Sequence, residues 1–176
     1  MKTKIFLSVA NGYRKDQKDY ESCLRKQIFK LTKQEAVTVS CLCNKGESPL
    51  NKVIESIQDC DALIALAFER KHTYLEFIKE KNLYDRIEKK NIYYTSPWIH
   101  IECAIAKAFS KPILLLIPSN IESEGVIDST QDDYDIVHIP TISAGPNNWG
   151  YSTIVDFESN ANLQCKNTIQ KFLADL

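Results

Sequence analysis

Two short runs set the limits on this fold: DALIALAF, from Asp61 to Phe68, and ILLLI, from Ile113 to Ile117. Neither alternates polar with apolar residues. A strand that is apolar throughout has both faces covered, which is the situation of a strand inside a parallel sheet. Asp61–Phe68 is therefore expected to be central in such a sheet, and Ile113–Ile117 to be a second buried strand.

The remaining elements arrange themselves around these two. Lys4–Val9 is an apolar β run, ended by Asn11-Gly12. Asp16–Leu31 carries Tyr20, Cys23, Leu24, Gln27, Ile28 and Leu31 at helical spacing. Ala36–Cys43 (AVTVSCLC) alternates and is β-branched, so it is expected to be a strand. After a loop at Asn44–Ser48, Pro49 opens a helix through Leu50, Val53, Ile54 and Ile57. Glu69–Thr95 is the least regular stretch, and its charged piece FIKEKNLYDRIEKK is expected to be helical. Further on come a weak strand at Asp135–Ile139 and a loop at Ala144–Gly150. A short extended piece at Thr153–Phe157 and a last helix over about Asn160–Leu173 follow. Strands alternating with helices predict an α/β, flavodoxin-like parallel sheet with helices on both faces. The expected organisation is one domain, 1–176, with an inserted segment at about 69–95.

A chain of 176 residues with 44% hydrophobic content can bury a real core. Its net charge of −1 offers no basic stripe, so nucleic acid is not an expected partner. The N-terminal apolar run is short and no run reaches transmembrane length, so no membrane is expected and the predicted location is cytoplasmic. The spacing of the six cysteines is not that of a metal site, and they are read as reduced, small apolar residues. No metal is predicted.

The chemistry concentrates in TSPWIHIECAIAKAF, Thr95–Phe109. Ser96 can cap a helix whose first position is Pro97, and Ser110-Lys111-Pro112 ends it. At about 100° per residue, Trp98, Ile101, Ile105, Ala108 and Phe109 share one arc, expected to be the buried one. His100 and Lys107 fall opposite and are expected in solvent. Glu102 lies within the apolar arc. An unpaired buried charge costs several kcal/mol, so Glu102 either has a partner or lines a cleft. Ligands of parallel sheets bind at the carboxyl ends of the strands. The loops Ser8–Arg14 and Phe68–Lys71 lie at that edge, and Glu102 is expected beneath it, near residues 8–14. SVANGYRKD after the first strand has one glycine and matches neither a P-loop nor a dinucleotide-fold pattern. Glu102 is left as the best catalytic candidate. A carboxylate in a partly apolar cleft, one turn from an aromatic, suits stabilisation of an oxocarbenium ion. A structural Glu held by Lys, Arg or a backbone amide is the competing reading.

Ser96, Trp98 and Glu102, followed by Lys111-Pro112-Ile113, resemble the helix-and-strand signature of TIR domains, most closely the NAD-cleaving ones. Phe6-Leu7-Ser8 resembles the first-strand box of that family, and Ser56–Ala67 its third-strand region. The resemblance covers roughly residues 4–118. It implies cleavage of the nicotinamide–ribose bond, with NAD⁺ as substrate and no separate cofactor, giving ADP-ribose or a cyclic ADP-ribose signal in stress or antiviral defence. Glu102 would be the catalytic carboxylate. Ser8, Ala10 and Asn11 would line the nucleotide site, Arg14 would meet a phosphate, and Phe68 and Arg70 would border the nicotinamide. Ser96 would sit at the head of the catalytic helix and Trp98 at the cleft wall. Self-association or a partner effector protein is also implied. The loop Asn44–Leu50 departs from the family's acidic-then-glycine pattern, and the 69–95 insertion is longer, either a lid or a solvated helix.

Two other readings stand beside this one. A nucleoside 2-deoxyribosyltransferase-like enzyme is compatible with Asp59, Asp61, Glu102, Ala106 and Lys111-Pro112, although that family's Gly between Asp and Glu is missing and Trp98 is not expected. A non-catalytic TIR-like adaptor or nucleotide sensor would use Glu102 only structurally.

Overall fold

The computed structural model describes residues 3–10, 14–38, 48–79, 86–128, 134–143 and 152–176. In chain order the elements are β1 (Ile5–Val9), α1 (Lys15–Thr32), α2 (Pro49–Gln58), β2 (Ala62–Leu66), β3 (Lys71–Lys79) and β4 (Arg86–Tyr94). There follow α3 (Pro97–Ala108), β5 (Ile113–Pro118), β6 (Asp135–Ile139), β7 (Thr141–Ser143), β8 (Ser152–Ile154) and α4 (Leu163–Ala174).

Four strands form a wholly parallel sheet in the order β1-β2-β5-β6. Every residue of β2 and β5 is buried, as their unbroken apolar sequences require. Beyond β1, Val37 forms a parallel bridge: its N–H donates to Ile5 O at 2.9 Å, and Leu7 N–H donates to Val37 O at 2.8 Å. Val37 lies in the expected second strand, Ala36–Cys43, of which residues 39–43 lie outside the described ones. With Val37 counted, the strand order is that of the flavodoxin-like α/β fold. Right-handed crossovers then place α2 and α3 on one face and α1 and α4 on the other, and the helices touch within each pair.

Three sequence expectations need correction. The described part of the segment expected to be a charged helix lies in an antiparallel pair, β3 with β4, running from Lys71 opposite Tyr94 to Lys79 opposite Arg86; residues 80–85 lie outside the described ones. Thr73, Tyr74, Phe77 and Ile78 stand in the first half and Ile87, Ile92, Tyr93 and Tyr94 in the second, and β-branched and aromatic residues fit a pleated surface better than a helix. A window of 77–90 straddles both strands, so it shows charge without the strand period. Secondly, the buried face of α3 consists of Ile99, Cys103 and Ala106, while Trp98, Ile101 and Phe109 are exposed. Small Cys and Ala side chains let the helix lie close to the sheet, where the aromatics would not fit. Thirdly, His100 is half-buried rather than solvated: its Nδ1 accepts from Val126 N–H at 3.4 Å. Gly125 lies over that ring at φ +56°, and a Cβ there would sit 2.9 Å from Nδ1.

Among the described residues, Cys23, Cys60, Cys103 and Cys165 are free thiols, the last three buried. Among the same residues, no helix is long and apolar enough to cross a membrane. A buried polar tie joins α1 to α4. The Tyr20 hydroxyl lies 3.3 Å from Asn162 Oδ1 and 3.2 Å from Cys165 Sγ. Asn162 Nδ2 donates to Val155 O at 3.0 Å and Asp156 O at 2.9 Å. Asn162→Ala would remove the donor to Val155 O and the acceptor of the buried Tyr20 hydroxyl, while Asp156 O keeps Ser159 N–H, and a lost hydrogen bond that leaves a buried polar group unsatisfied costs about 1–3 kcal/mol. Urea unfolding of Asn162→Ala is expected to show a loss of ~2–3 kcal/mol with little change in the denaturant slope.

Candidate active site

The carboxyl ends of β1 and β2 form the floor of the site, and α3 is fastened to them at its first turn. Thr95 Oγ1 donates to Phe68 O at 2.9 Å, which ties the start of α3 to the end of β2. Ser96 Oγ then accepts from Trp98 N–H at 3.3 Å, and Pro97 occupies the first helical position. The β3/β4 pair leaves and rejoins the main chain at this corner, closed by Arg70 N–H donating to Tyr94 O at 2.7 Å.

This anchoring brings the second turn of α3 against β1, where the buried Ser8 hydroxyl donates to the Glu102 carboxylate. Glu102 is partly buried, and burial pushes its pKa up from 4.5 to about 7, against the opposing effect of the Ser8 hydrogen bond. Among the described residues no Lys or Arg pairs with it. The partner demanded by its position in the sequence is thus a hydroxyl, not a cation. A carboxyl group with a pKa near neutrality can hold or release a proton under ordinary conditions, the range in which acid–base side chains work.

A second polar cluster follows the ends of β1 and β2. Arg14, at the N-cap of α1, pairs with Asp16 and with Glu69, each at 3.0 Å. Asp16 Oδ2 also accepts from Ile154 N–H at 2.9 Å. Burial raises the Glu69 pKa despite Arg14, whereas Asp16 is held below the usual carboxylate range by the hydrogen bonds of Arg14 and Ile154 acting against burial. Arg14 Nη1 and Glu69 thereby strap the carboxyl ends of β1 and β2 together.

The site residues named from sequence separate clearly. Ser8 and Glu102 are brought into contact, and Ser96 is the buried cap that orients the helix between them. Ala10 is buried at the end of β1, and Asn11 lies outside the described residues. Trp98 is 38% exposed one turn before Glu102. Arg70 is exposed at the root of β3. Phe68, two residues past β2, is fully buried and packs edge-on against Tyr20 at 6.2 Å. Arg14 is not an open phosphate ligand, since two carboxylates already engage it. Glu69 was missed from sequence. An acidic residue directly after a fully apolar strand, at the binding edge of a parallel sheet, was the available signal.

No protein-family model and no curated protein matches the chain. Two solved structures are similar at low identity. One is the Clostridium botulinum CMP N-glycosidase BcmB, 17% identical over 78% of this chain and 88% of that chain, with a TM-score of 0.46. The other is a conserved protein from Enterococcus faecalis V583, 16% identical over 74% and 72%, with a TM-score of 0.44.

The raised pKa of Glu102 carries a sign for stability. Its folded-state value, about 7, exceeds the ordinary 4.5, so the folded protein holds this proton more tightly than the unfolded chain. The associated stability is fully present below about pH 4.5 and is lost as pH rises through about 7. The total is on the order of 3 kcal/mol. Glu102→Gln cannot ionise. Compared with wild type, it is expected to gain ~2–3 kcal/mol on going from about pH 4.5 to pH 8 in urea unfolding. A pH-independent difference would mean that Glu102 titrates as an ordinary surface carboxyl.

Proposed function

We propose that this chain cleaves the N-glycosidic bond of a nucleoside-type substrate, with Glu102 as the catalytic carboxylate. The observation that carries the reading is the Glu102 carboxylate itself. It is partly buried, partnered only by the Ser8 hydroxyl among the described residues, and raised to about 7 below the carboxyl ends of β1 and β2. In such a cleavage the C1′–N bond breaks and its electron pair leaves with the base. The sugar becomes an oxocarbenium ion, which an adjacent ionised carboxylate stabilises more than it stabilises the neutral sugar. Water then attacks C1′ and gives its proton to Glu102.

Within this class, NAD⁺ is the proposed substrate. Its nicotinamide departs neutral and needs no proton, so one ionised carboxylate is enough. The Ser96-Trp98-Glu102 pattern, similar to that of NAD-cleaving TIR domains, supports the same choice. So does the local charge: two carboxylates, Asp16 and Glu69, surround the single Arg14, which favours the cationic end of a substrate over an isolated phosphate. A second reading, cleavage or transfer on a neutral-base nucleoside or nucleotide, has one observation in its favour. At a pKa of about 7, Glu102 also carries a proton that it could give to a leaving base.

The deciding experiment incubates wild type and Glu102→Gln with NAD⁺, CMP and deoxynucleosides and follows released base by liquid chromatography and mass spectrometry. Nicotinamide release by wild type, reduced more than ~100-fold in Glu102→Gln, is the expected result. The mass of the second product distinguishes ADP-ribose from its cyclic form. With NAD⁺ the rate should rise with pH through about 7, since the ionised form acts, and Ser8→Ala should move that limb to higher pH. A rate that falls through the same range would favour the neutral-base reading. No base release from any substrate by folded wild type would leave Glu102 a structural residue of a binding module.

A further inference from the structure

His100 stands in the first turn and a half of α3, and a 3₁₀ turn that follows β5, Gly125–Ile127, closes on its ring. Val126 N–H donates to Nδ1 at 3.4 Å, so the neutral ring carries its own proton on Nε2. Gly125 presses on the same ring. Its φ of +56° is one that L side chains rarely adopt, and a Cβ there would lie 2.9 Å from Nδ1 and 3.3 Å from Cε1. Glycine is needed at this position twice over, for its backbone and for the ring. Docking the turn buries Ile127 in the main core and packs Val126 against it. The same segment fastens to the root of β4, where Glu122 N–H donates to Tyr93 O at 2.8 Å.

An imidazole can hold this amide only while it is neutral. Protonation puts a hydrogen on Nδ1, and two N–H donors then face each other. Turning the ring over does not help, because every ring atom except Cγ of an imidazolium carries a hydrogen and no acceptor is left. The surroundings offer the charged ring little in return. The elements packed on α3 are α2, β1, β2, β5 and this turn. The three strands contain no charged residue, and Lys52 and Glu55 of α2 do not act on the ring. Within α3, Glu102 is turned to Ser8 and Lys107 to the Tyr134 ring. Burial holds the His100 pKa below its ordinary 6.5, against the attraction of Glu124, the charge that does act on it.

We propose that His100 is an acid-sensitive latch: its neutral ring holds the Glu124–Asp128 turn against α3, and its protonated ring lets the turn go. The sign follows from linkage. Because the docked state binds the proton less tightly than a free histidine, docking is fully supported above about pH 6.5 and weakens as pH falls through that value. Release is local, since neither the parallel sheet nor the Ser8–Glu102 contact passes through the turn. It uncovers Ile127 and the side of α3 that carries His100, two residues from Glu102. The latch is independent of the chemistry proposed for Glu102.

The test is amide hydrogen exchange of the full chain, read as protection factors for Val126, Ile127 and Asp128 at about pH 7.5 and about pH 5. In wild type these are expected to fall ~10-fold or more at the lower pH, while the amides of β2 and β5 keep theirs. His100→Asn offers a carbonyl in place of Nδ1 and does not titrate, so its turn should stay protected at both pH values. His100→Phe keeps a ring without an acceptor, and its turn should be poorly protected at both. Imidazole nitrogen shifts should show the Nε2–H form of His100 at neutral pH, titrating in step with the loss of protection. Protection that does not change with pH in wild type overturns the proposal. So does a wild-type fall that survives in His100→Asn, which would trace it to another group such as Glu102, or a His100→Phe turn as protected as wild type at neutral pH.

Discussion

The contact between Ser8 and Glu102 is the constraint around which this end of the molecule is built. Ser8 is buried in β1, and Glu102 is carried by a helix on one face of the sheet. A hydroxyl compensates a buried carboxylate only in part, as the pKa of about 7 records. The structure keeps the group in place through neighbours that do not touch it. Thr95 on Phe68, the Ser96 cap and the His100 ring beneath Gly125 fix the first turn of α3, and with it the backbone that carries Glu102 toward β1. A carboxylate held where its charge is poorly solvated is costly for folding. It is also well suited to respond to a positive charge that develops beside it.

That constraint explains why the site was partly legible in the sequence. A Glu set among apolar residues, in a helix with a marked start and stop, has to meet something, and the parallel sheet dictated by DALIALAF and ILLLI puts that meeting near the end of β1. Helix caps and wholly apolar strands are local signals, and both were readable. The face of α3 was not. Periodicity marks a buried side by contrast with polar residues, and a helix with three polar residues in twelve offers little contrast. The order of burial came instead from size, with Cys103 and Ala106 inward and Trp98 and Phe109 outward. Size complementarity to a sheet is a property of two surfaces, and one helix sequence does not contain it.

The β3/β4 pair and Arg14 show the same limit in other forms. In Lys71–Tyr94 the strand signal is split between two halves that find each other only in three dimensions, while the charges between them read continuously along the chain. For Arg14, the sequence shows a cation at a binding edge. It does not show that Asp16, two residues on, and Glu69, at the end of another strand, converge on the guanidinium. Local charge is legible, and its neutralisation across strands is not. Phe68 shows the limit too: just past β2 it lies near the ligand edge in sequence order, yet its side chain is fully buried.

The two sides of α3 make opposite demands that one short helix meets together. Its inner side needs small residues, to bring Glu102 within reach of Ser8; its outer side keeps the large apolar residues that size excludes from the sheet. Trp98, Ile101 and Phe109 are each still more than half covered by this chain, at 38%, 39% and 37% exposed, so they contribute to burial at the rim of the core. Sorting by size around one helix thus lets the backbone of α3 lie close to the sheet, and it is this closeness that sets the Glu102 carboxylate against the Ser8 hydroxyl.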